Sequence, residues 1–151
     1  MGQGAEDQLE NPGTPAKYAV RVGGGLNYRF GLHDGFLIKD NHIAAVGSLA
    51  EAVRRARQVA GPVAKVAVEV ESEGELEQAL QAGADHILLD NVSLDFLRAA
   101  VARCEGRATT EASGGVSLAT VRAVAETGVD FISVGKLTHS APAVDIGLDA
   151  G

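Results

Sequence analysis

Short apolar runs that stop abruptly at polar or charged residues recur along this chain. The first clear one is Phe36-Leu37-Ile38, bounded by Gly35 and followed by Lys39-Asp40-Asn41-His42. A run so brief reads as a buried parallel strand, not a helix, with a C-terminal end that opens into a polar site. The same punctuation returns at Val66-Ala67-Val68-Glu69, at Ile87-Leu88-Leu89-Asp90-Asn91, at Thr109-Thr110-Glu111-Ala112-Ser113-Gly114-Gly115 and at Phe131-Ile132-Ser133-Val134-Gly135-Lys136. Between the runs, apolar residues fall three and four apart. Leu49, Ala52, Val53, Ala56 and Val59 or Ala60 mark one helical face, Leu76, Ala79 and Leu80 a second, Leu94, Leu97, Ala100, Val101 and Cys104 a third, and Leu118, Val121, Val124 and Ala125 a fourth. Ser48 and Ser72, each with a glutamate three residues on, give capping-box patterns, Ser93 and Ser117 can cap the other two helices, and Gly61-Pro62, Gly83 and Gly128 are stops.

A strand-helix-strand rhythm calls for a parallel sheet with right-handed crossovers. Five strands are too few to close the usual barrel, and 151 residues are short for one, which takes about 250. The expected fold is therefore α/β, a partial or open (β/α) barrel of about five parallel strands over residues 16–151. Residues 1–15 hold no periodic apolar pattern and read as a disordered leader or cloning remnant. A helix is expected over Ala16–Val22, with Tyr18, Ala19 and Val22 at helical spacing, ended by Gly23-Gly24-Gly25.

Composition narrows the class. Apolar residues make up 46% of the chain and charged residues 22%, which suits a globular domain. A net charge of −7 argues against a nucleic-acid partner. The single Cys104 forms no internal disulfide, as in a reducing cytoplasm, and reads as a small core residue. There is no apolar run of the roughly 18 residues that span a bilayer, and no signal-peptide core, so no membrane partner is expected.

In a (β/α) barrel all strand exits lie on one face, which would bring Lys39, Glu69, Asp90, Glu111 and Lys136 together. Glu69 and Asp90 are hard oxygen donors that could hold magnesium beside a phosphorylated substrate or accept from ribose hydroxyls. Ser113-Gly114-Gly115 and Val134-Gly135 offer backbone N–H groups after the last two strands, with Ser117 starting a helix behind them, a place where barrels hold phosphate. Arg29 reads either as an anion clamp or as a solvated surface arginine, and His33 and His42 as turn or capping residues.

These residues carry a family resemblance. Tyr18-Ala19-Val20-Arg21-Val22-Gly23-Gly24-Gly25-Leu26-Asn27-Tyr28-Arg29-Phe30-Gly31-Leu32, Leu37-Ile38-Lys39-Asp40-Asn41-His42, Val68-Glu69-Val70-Glu71-Ser72, Ile87-Leu88-Leu89-Asp90-Asn91, Glu111-Ala112-Ser113-Gly114-Gly115-Val116 and Val134-Gly135-Lys136-Leu137-Thr138-His139-Ser140 resemble the C-terminal domain of quinolinate phosphoribosyltransferase in order and spacing. The resemblance implies an enzyme of NAD biosynthesis that uses magnesium to turn quinolinate and phosphoribosyl pyrophosphate into nicotinate mononucleotide, pyrophosphate and carbon dioxide, as a homo-oligomer. It implies that Arg29 and Lys39, with Tyr28 nearby, bind the quinolinate carboxylates and charged phosphates. Glu69 and Asp90 would hold ribose hydroxyls and the metal, and Ser113, Gly114, Gly115 and Gly135 the 5-phosphate, with His139 close by.

The chain departs from the family pattern at Tyr28, where a histidine is usual, and at Ala67, where a carboxylate is often found. A phenol donates a hydrogen bond but carries no positive charge. The basic strand expected just before Ala16 has no counterpart, nor has the family's N-terminal domain. The competing expectation is a non-catalytic barrel fragment that keeps phosphate binding or self-assembles through an open edge. Weak turnover at most, with glycine-loop binding retained, is what those departures imply.

Overall fold

The computed structural model describes residues 15–27, 35–61, 63–140, 142 and 144–148. Tyr28, Arg29, His33 and the expected leader through residue 14 lie outside the described residues. In chain order the elements are α1 (Pro15–Val22), β1 (Phe36–Ile38), α2 (Asp40–Val46), α3 (Leu49–Val59), β2 (Val66–Val70), α4 (Glu73–Gln81), β3 (His86–Asp90), α5 (Leu94–Cys104), β4 (Thr109–Ser113), α6 (Val121–Ala125), β5 (Phe131–Ile132) and α7 (Lys136–His139). The five strands form one parallel sheet in the order β1-β2-β3-β4-β5, the open partial barrel expected. β1 and β5 are its edges among the described residues. No described helix is long and apolar enough to cross a membrane.

Register sorts the strand residues into two faces, because paired residues of parallel neighbours point the same way and successive residues alternate. Ile38, Val68 and Ile87 share one row, and Val70, Leu89 and Ala112 another, all on one face. That face packs against Leu49, Ala52 and Val53 of α3, Leu76, Ala79 and Leu80 of α4, and Leu97, Ala100 and Cys104 of α5 to make the core. Each fully buried Val or Leu there contributes on the order of 2 kcal/mol. Cys104 is buried in that cluster, where desolvation pushes its thiol up, as expected of a core residue. The opposite face carries Ala67 and His86 in one row and Glu69, Leu88, Glu111 and Phe131 in the next. Leu88 is buried there, yet it stands outside the helix-packed core.

Local chemistry fixes the helix starts. Ser72 Oγ accepts from Glu75 N–H at 3.3 Å while Glu75 Oε2 accepts from Ser72 N–H at 3.1 Å, a complete capping box. Ser48 Oγ accepts from Glu51 N–H at 3.2 Å, but the reciprocal half is missing. Glu51 turns instead to Arg54 and Arg55, whose guanidinium groups donate at 2.6–2.7 Å and hold its carboxyl down to about 2. Ser48 is thus an N-cap without a box.

One expectation needs correction. The helix predicted to start behind Ser117 begins instead at Val121 and has only five residues. Thr120 Oγ1 accepts from Ser117 N–H and Thr120 N–H donates back to the Ser117 carbonyl, both at 3.0 Å, which closes a turn in place of a first helical turn. Leu118 is in consequence 97% exposed instead of facing inward. The helix expected over Ala16–Val22 forms as α1 and stops at its glycines, with Gly23 N–H donating to Ala19 O and Gly25 N–H to Val20 O, and Tyr18 and Val22 are exposed. Two short helices were not predicted: α2 follows β1 after Lys39 alone, and α7 follows β5 after Ser133-Val134-Gly135.

Candidate active site

Five parallel strands end at one edge of the sheet, and the polar residues that follow them are carried there together. At the β1 exit Lys39 precedes α2, and its backbone N–H donates to His42 Nδ1 at 3.0 Å, so His42 caps its own helix. The Lys39 ammonium then lies 3.0 Å from Glu69 Oε2 on β2. That oxygen is sealed from solvent and accepts no hydrogen bond among the described residues, so the ammonium meets its charge without the direction a hydrogen bond requires.

The β3 and β4 exits are joined. Asp90 and Ser113 are register partners, and Asn91 N–H donates to the Ser113 carbonyl at 3.0 Å, one step past the end of β3. Asn91 Nδ2 donates to Asp90 Oδ2 at 2.7 Å. Gly114 and Gly115 both adopt left-handed backbones, with φ of 86° and 61°. Glycine enters the left-handed region without steric cost, and two in succession turn the chain sharply after β4. A groove of about 510 Å³ opens between the β2 and β3 exits, lined by Ser72, Asp90, Asn91 and Ser93 among others. At the β5 exit the His139 ring lies over Gly135, where a Cβ would come within 3.2 Å of its Cδ2 and Nε2. His139 Nδ1 is 2.6 Å from Ser140 Oγ. Lys136 begins α7 and is exposed.

Three sets of the sequence-selected residues are thus drawn together: Lys39 with Glu69, Asp90 with Ser113 and Gly114, and Gly135 with His139. Glu111, the remaining strand-exit carboxylate, shares the register row and sheet face of Glu69 but is taken up by other partners. It is buried on the sheet face away from the helices, with His86 Nε2 at 2.7 Å from Oε2 and Ser133 Oγ donating to Oε1. His86 Nδ1 is in turn 2.7 Å from Thr109 Oγ1. Burial pushes the Glu111 carboxyl up, but the hydrogen bonds from His86 and Ser133 outweigh it and hold the group below its ordinary value. This chain across β3, β4 and β5 is not evident in the sequence, where His86 looks like the residue before a strand. Its parity with Leu88 and Asp90 was the available signal.

An open parallel α/β sheet with carboxylates and a lysine at one rim and left-handed glycines after the penultimate strand defines a domain of the (β/α) barrel class, whose strand exits are where such folds carry their sites. Known proteins make the class specific. The sequence model of the quinolinate phosphoribosyl transferase C-terminal domain matches residues 12–149, and the chain belongs to that family. A probable nicotinate-nucleotide pyrophosphorylase (carboxylating) of Bacillus subtilis is 51% identical over 133 residues, 88% of this chain and 46% of that protein. The Mycobacterium leprae nicotinate-nucleotide pyrophosphorylase is 50% identical over 143 residues, covering 91% and 50% respectively. Among solved structures, NadC from Streptococcus pyogenes superposes with a TM-score of 0.81 at 42% identity, over 93% of this chain and 55% of that one. The chain spans about half the length of the curated relatives it matches.

Proposed function

We propose that this chain acts in NAD biosynthesis as the barrel portion of a nicotinate-nucleotide pyrophosphorylase (carboxylating). The substrates would be quinolinate and phosphoribosyl pyrophosphate. The bond from the ribose anomeric carbon to pyrophosphate breaks with its electron pair leaving on pyrophosphate, the pyridine nitrogen bonds to that carbon, and a carboxylate then departs as carbon dioxide with a proton taking its place. The observation that carries this reading is the Lys39–Glu69 pair at 3.0 Å on the same rim as Asp90 and the left-handed Gly114-Gly115 turn.

The roles follow from charge. Positive charge develops on the ribose as pyrophosphate leaves, and fixed carboxylates stabilise it without forming a covalent bond. Glu69 and Asp90 serve that purpose and accept from ribose hydroxyls. Lys39 meets a substrate carboxylate or phosphate, and Arg29 joins it, with Tyr28 as a neutral donor. Ser113, Gly114, Gly115 and Gly135 offer hydroxyl and amide donors to the 5-phosphate, with His139 beside Gly135.

Magnesium fits the donors at hand. It is usually held by one or two carboxylates plus substrate phosphates, without a dedicated cage. The Glu69 carboxylate, once Lys39 turns from it to a substrate anion, and the Asp90 carboxylate are donors of that kind. Among the described residues no cluster of three ionisable or sulfur side chains forms a cage. When bound, the ion would neutralise the leaving pyrophosphate. A cytoplasmic location suits the unpaired, buried Cys104, and a homo-oligomer would cover the sheet edges at β1 and β5.

The test is titration of the chain with phosphoribosyl pyrophosphate and magnesium, followed by quinolinate-dependent formation of nicotinate mononucleotide. We expect binding that weakens roughly tenfold or more in Lys39→Ala and in Asp90→Ala, the loss typical of a charged hydrogen-bond partner. Binding without turnover in a folded sample favours the non-catalytic alternative. Absence of both overturns the reading.

A further inference from the structure

Asn91 is the single non-glycine residue with a left-handed backbone among the described residues, at φ 54°. Asparagine tolerates that region better than most residues, but glycine enters it freely. The turn after β3 therefore does not need a side chain at this position. What the side chain adds is two contacts, and both are to groups of the candidate site. Nδ2 donates to Asp90 Oδ2 at 2.7 Å. Oδ1 and Cγ occupy the space beside Gly114, where a Cβ would overlap both atoms and lie 2.7 Å from the Asn91 backbone nitrogen.

We infer that Asn91 is a positioning residue that aims the Asp90 carboxylate and seats the Ser113–Gly115 turn with one side chain. The inference rests on the phosphoribosyl reading above, in which Asp90 meets the ribose and the glycine turn meets the 5-phosphate. Those two parts of one substrate are bound by two different strand exits. A single amide touching both fixes the spacing between them. It also accounts for glycine at position 114 beyond its φ of 86°, since the space for a side chain there is already taken.

Calorimetric titration with phosphoribosyl pyrophosphate and magnesium tests this on the full chain, comparing wild type with Asn91→Gly, Asn91→Asp, Asp90→Ala and the Asp90→Ala/Asn91→Gly double variant. Asn91→Gly keeps the backbone conformation and should melt within about 5 °C of wild type. Its affinity should nonetheless fall roughly tenfold, the effect of removing a hydrogen bond to a charged group. Asn91→Asp keeps the size but cannot donate to Asp90, and should show the same loss if the glycine variant does not fold. In the Asp90→Ala background the Asn91→Gly penalty should shrink, because the carboxylate it aims is gone. Wild-type affinity in the folded variants, or a penalty undiminished by Asp90→Ala, overturns the inference and leaves the functional reading intact. A wild-type chain that binds no phosphoribosyl pyrophosphate overturns both.

Discussion

Glu111 is the one buried carboxylate among the described residues, and its two oxygens have separate partners, His86 Nε2 on β3 and Ser133 Oγ beyond β5. Truncation to alanine would leave an imidazole and a hydroxyl without their acceptor on a half-enclosed face. Leaving buried polar groups unmatched costs about 1–3 kcal/mol. Glu111→Ala should therefore lower the urea midpoint by an amount equivalent to about 2–3 kcal/mol, while Glu111→Gln, which keeps one acceptor and the volume, should cost about half as much. Equal losses in the two variants would mean that the pair contributes through volume alone. Sequence reasoning picked Glu111 as a strand-exit group, with Lys39, Glu69 and Asp90, and two of those three are indeed tied to one another. What it did not find was the partners of Glu111. Partner choice depends on register across β3, β4 and β5, and His86 lies 25 residues from Glu111 in the chain. Local pattern holds no information about which carboxylate a distant imidazole will face.

Helix caps are the part of the fold that sequence predicts best, because every atom involved lies within four residues. Ser72 and Glu75 form the expected box, and Ser93 Oγ accepts from Phe96 N–H at 3.2 Å. Ser48 shows the limit of that logic: the motif is present, but Arg54 and Arg55 on the same helix outcompete the backbone for Glu51. Ser72→Ala should cost about 1 kcal/mol, and Glu75→Ala a comparable amount, since Glu75 Oε2 also accepts from Glu71 N–H at 2.9 Å. Glu51→Ala should leave the Ser48 cap in place, and Ser48→Ala should behave as a simple cap deletion of about 1 kcal/mol. Thermal melts of the single variants and of the Ser72/Glu75 pair check this, with non-additivity expected only in the pair. The short helices α2 and α7 went unread for the opposite reason. Seven and four residues long, with no buried residue in either, they have no apolar stripe to announce them. Ser117 misled because it looks like a cap, while Thr120 supplies a competing hydroxyl three residues away.

Three carboxylates connect neighbouring strands of the whole sheet, and all three are held below their ordinary values. Asp85, before β3, accepts from Val66 N–H of β2 at 2.8 Å and pairs with Arg57 at 2.7 Å. Its burial works against ionisation, but Arg57 and the Val66 amide outweigh it. Asp130, before β5, accepts from the Thr110 amide and hydroxyl of β4, each at 2.8 Å, and these two bonds are the cause of its lowering. Glu111 completes the set between β3 and β5, lowered by His86 and Ser133 against its own burial. The sign follows from linkage. A carboxyl whose folded value is below its unfolded one binds fewer protons when folded, so acid favours the unfolded chain. Stability should be level down to about pH 5, begin to fall as pH approaches the unfolded values of 4.5 for Glu111 and 3.8 for the two aspartates, and continue falling through the lower folded values. The β2–β3 and β4–β5 pairings should loosen together, since each is fastened at its N-terminal end by one of the aspartates. Asp130→Asn removes one such group, so its stability should start lower at neutral pH and decline less steeply into acid than wild type. Melting temperatures at intervals from pH 7 to pH 3 decide the matter. A wild-type curve that stays level or rises below about pH 4 would show that these contacts do not couple proton binding to the sheet.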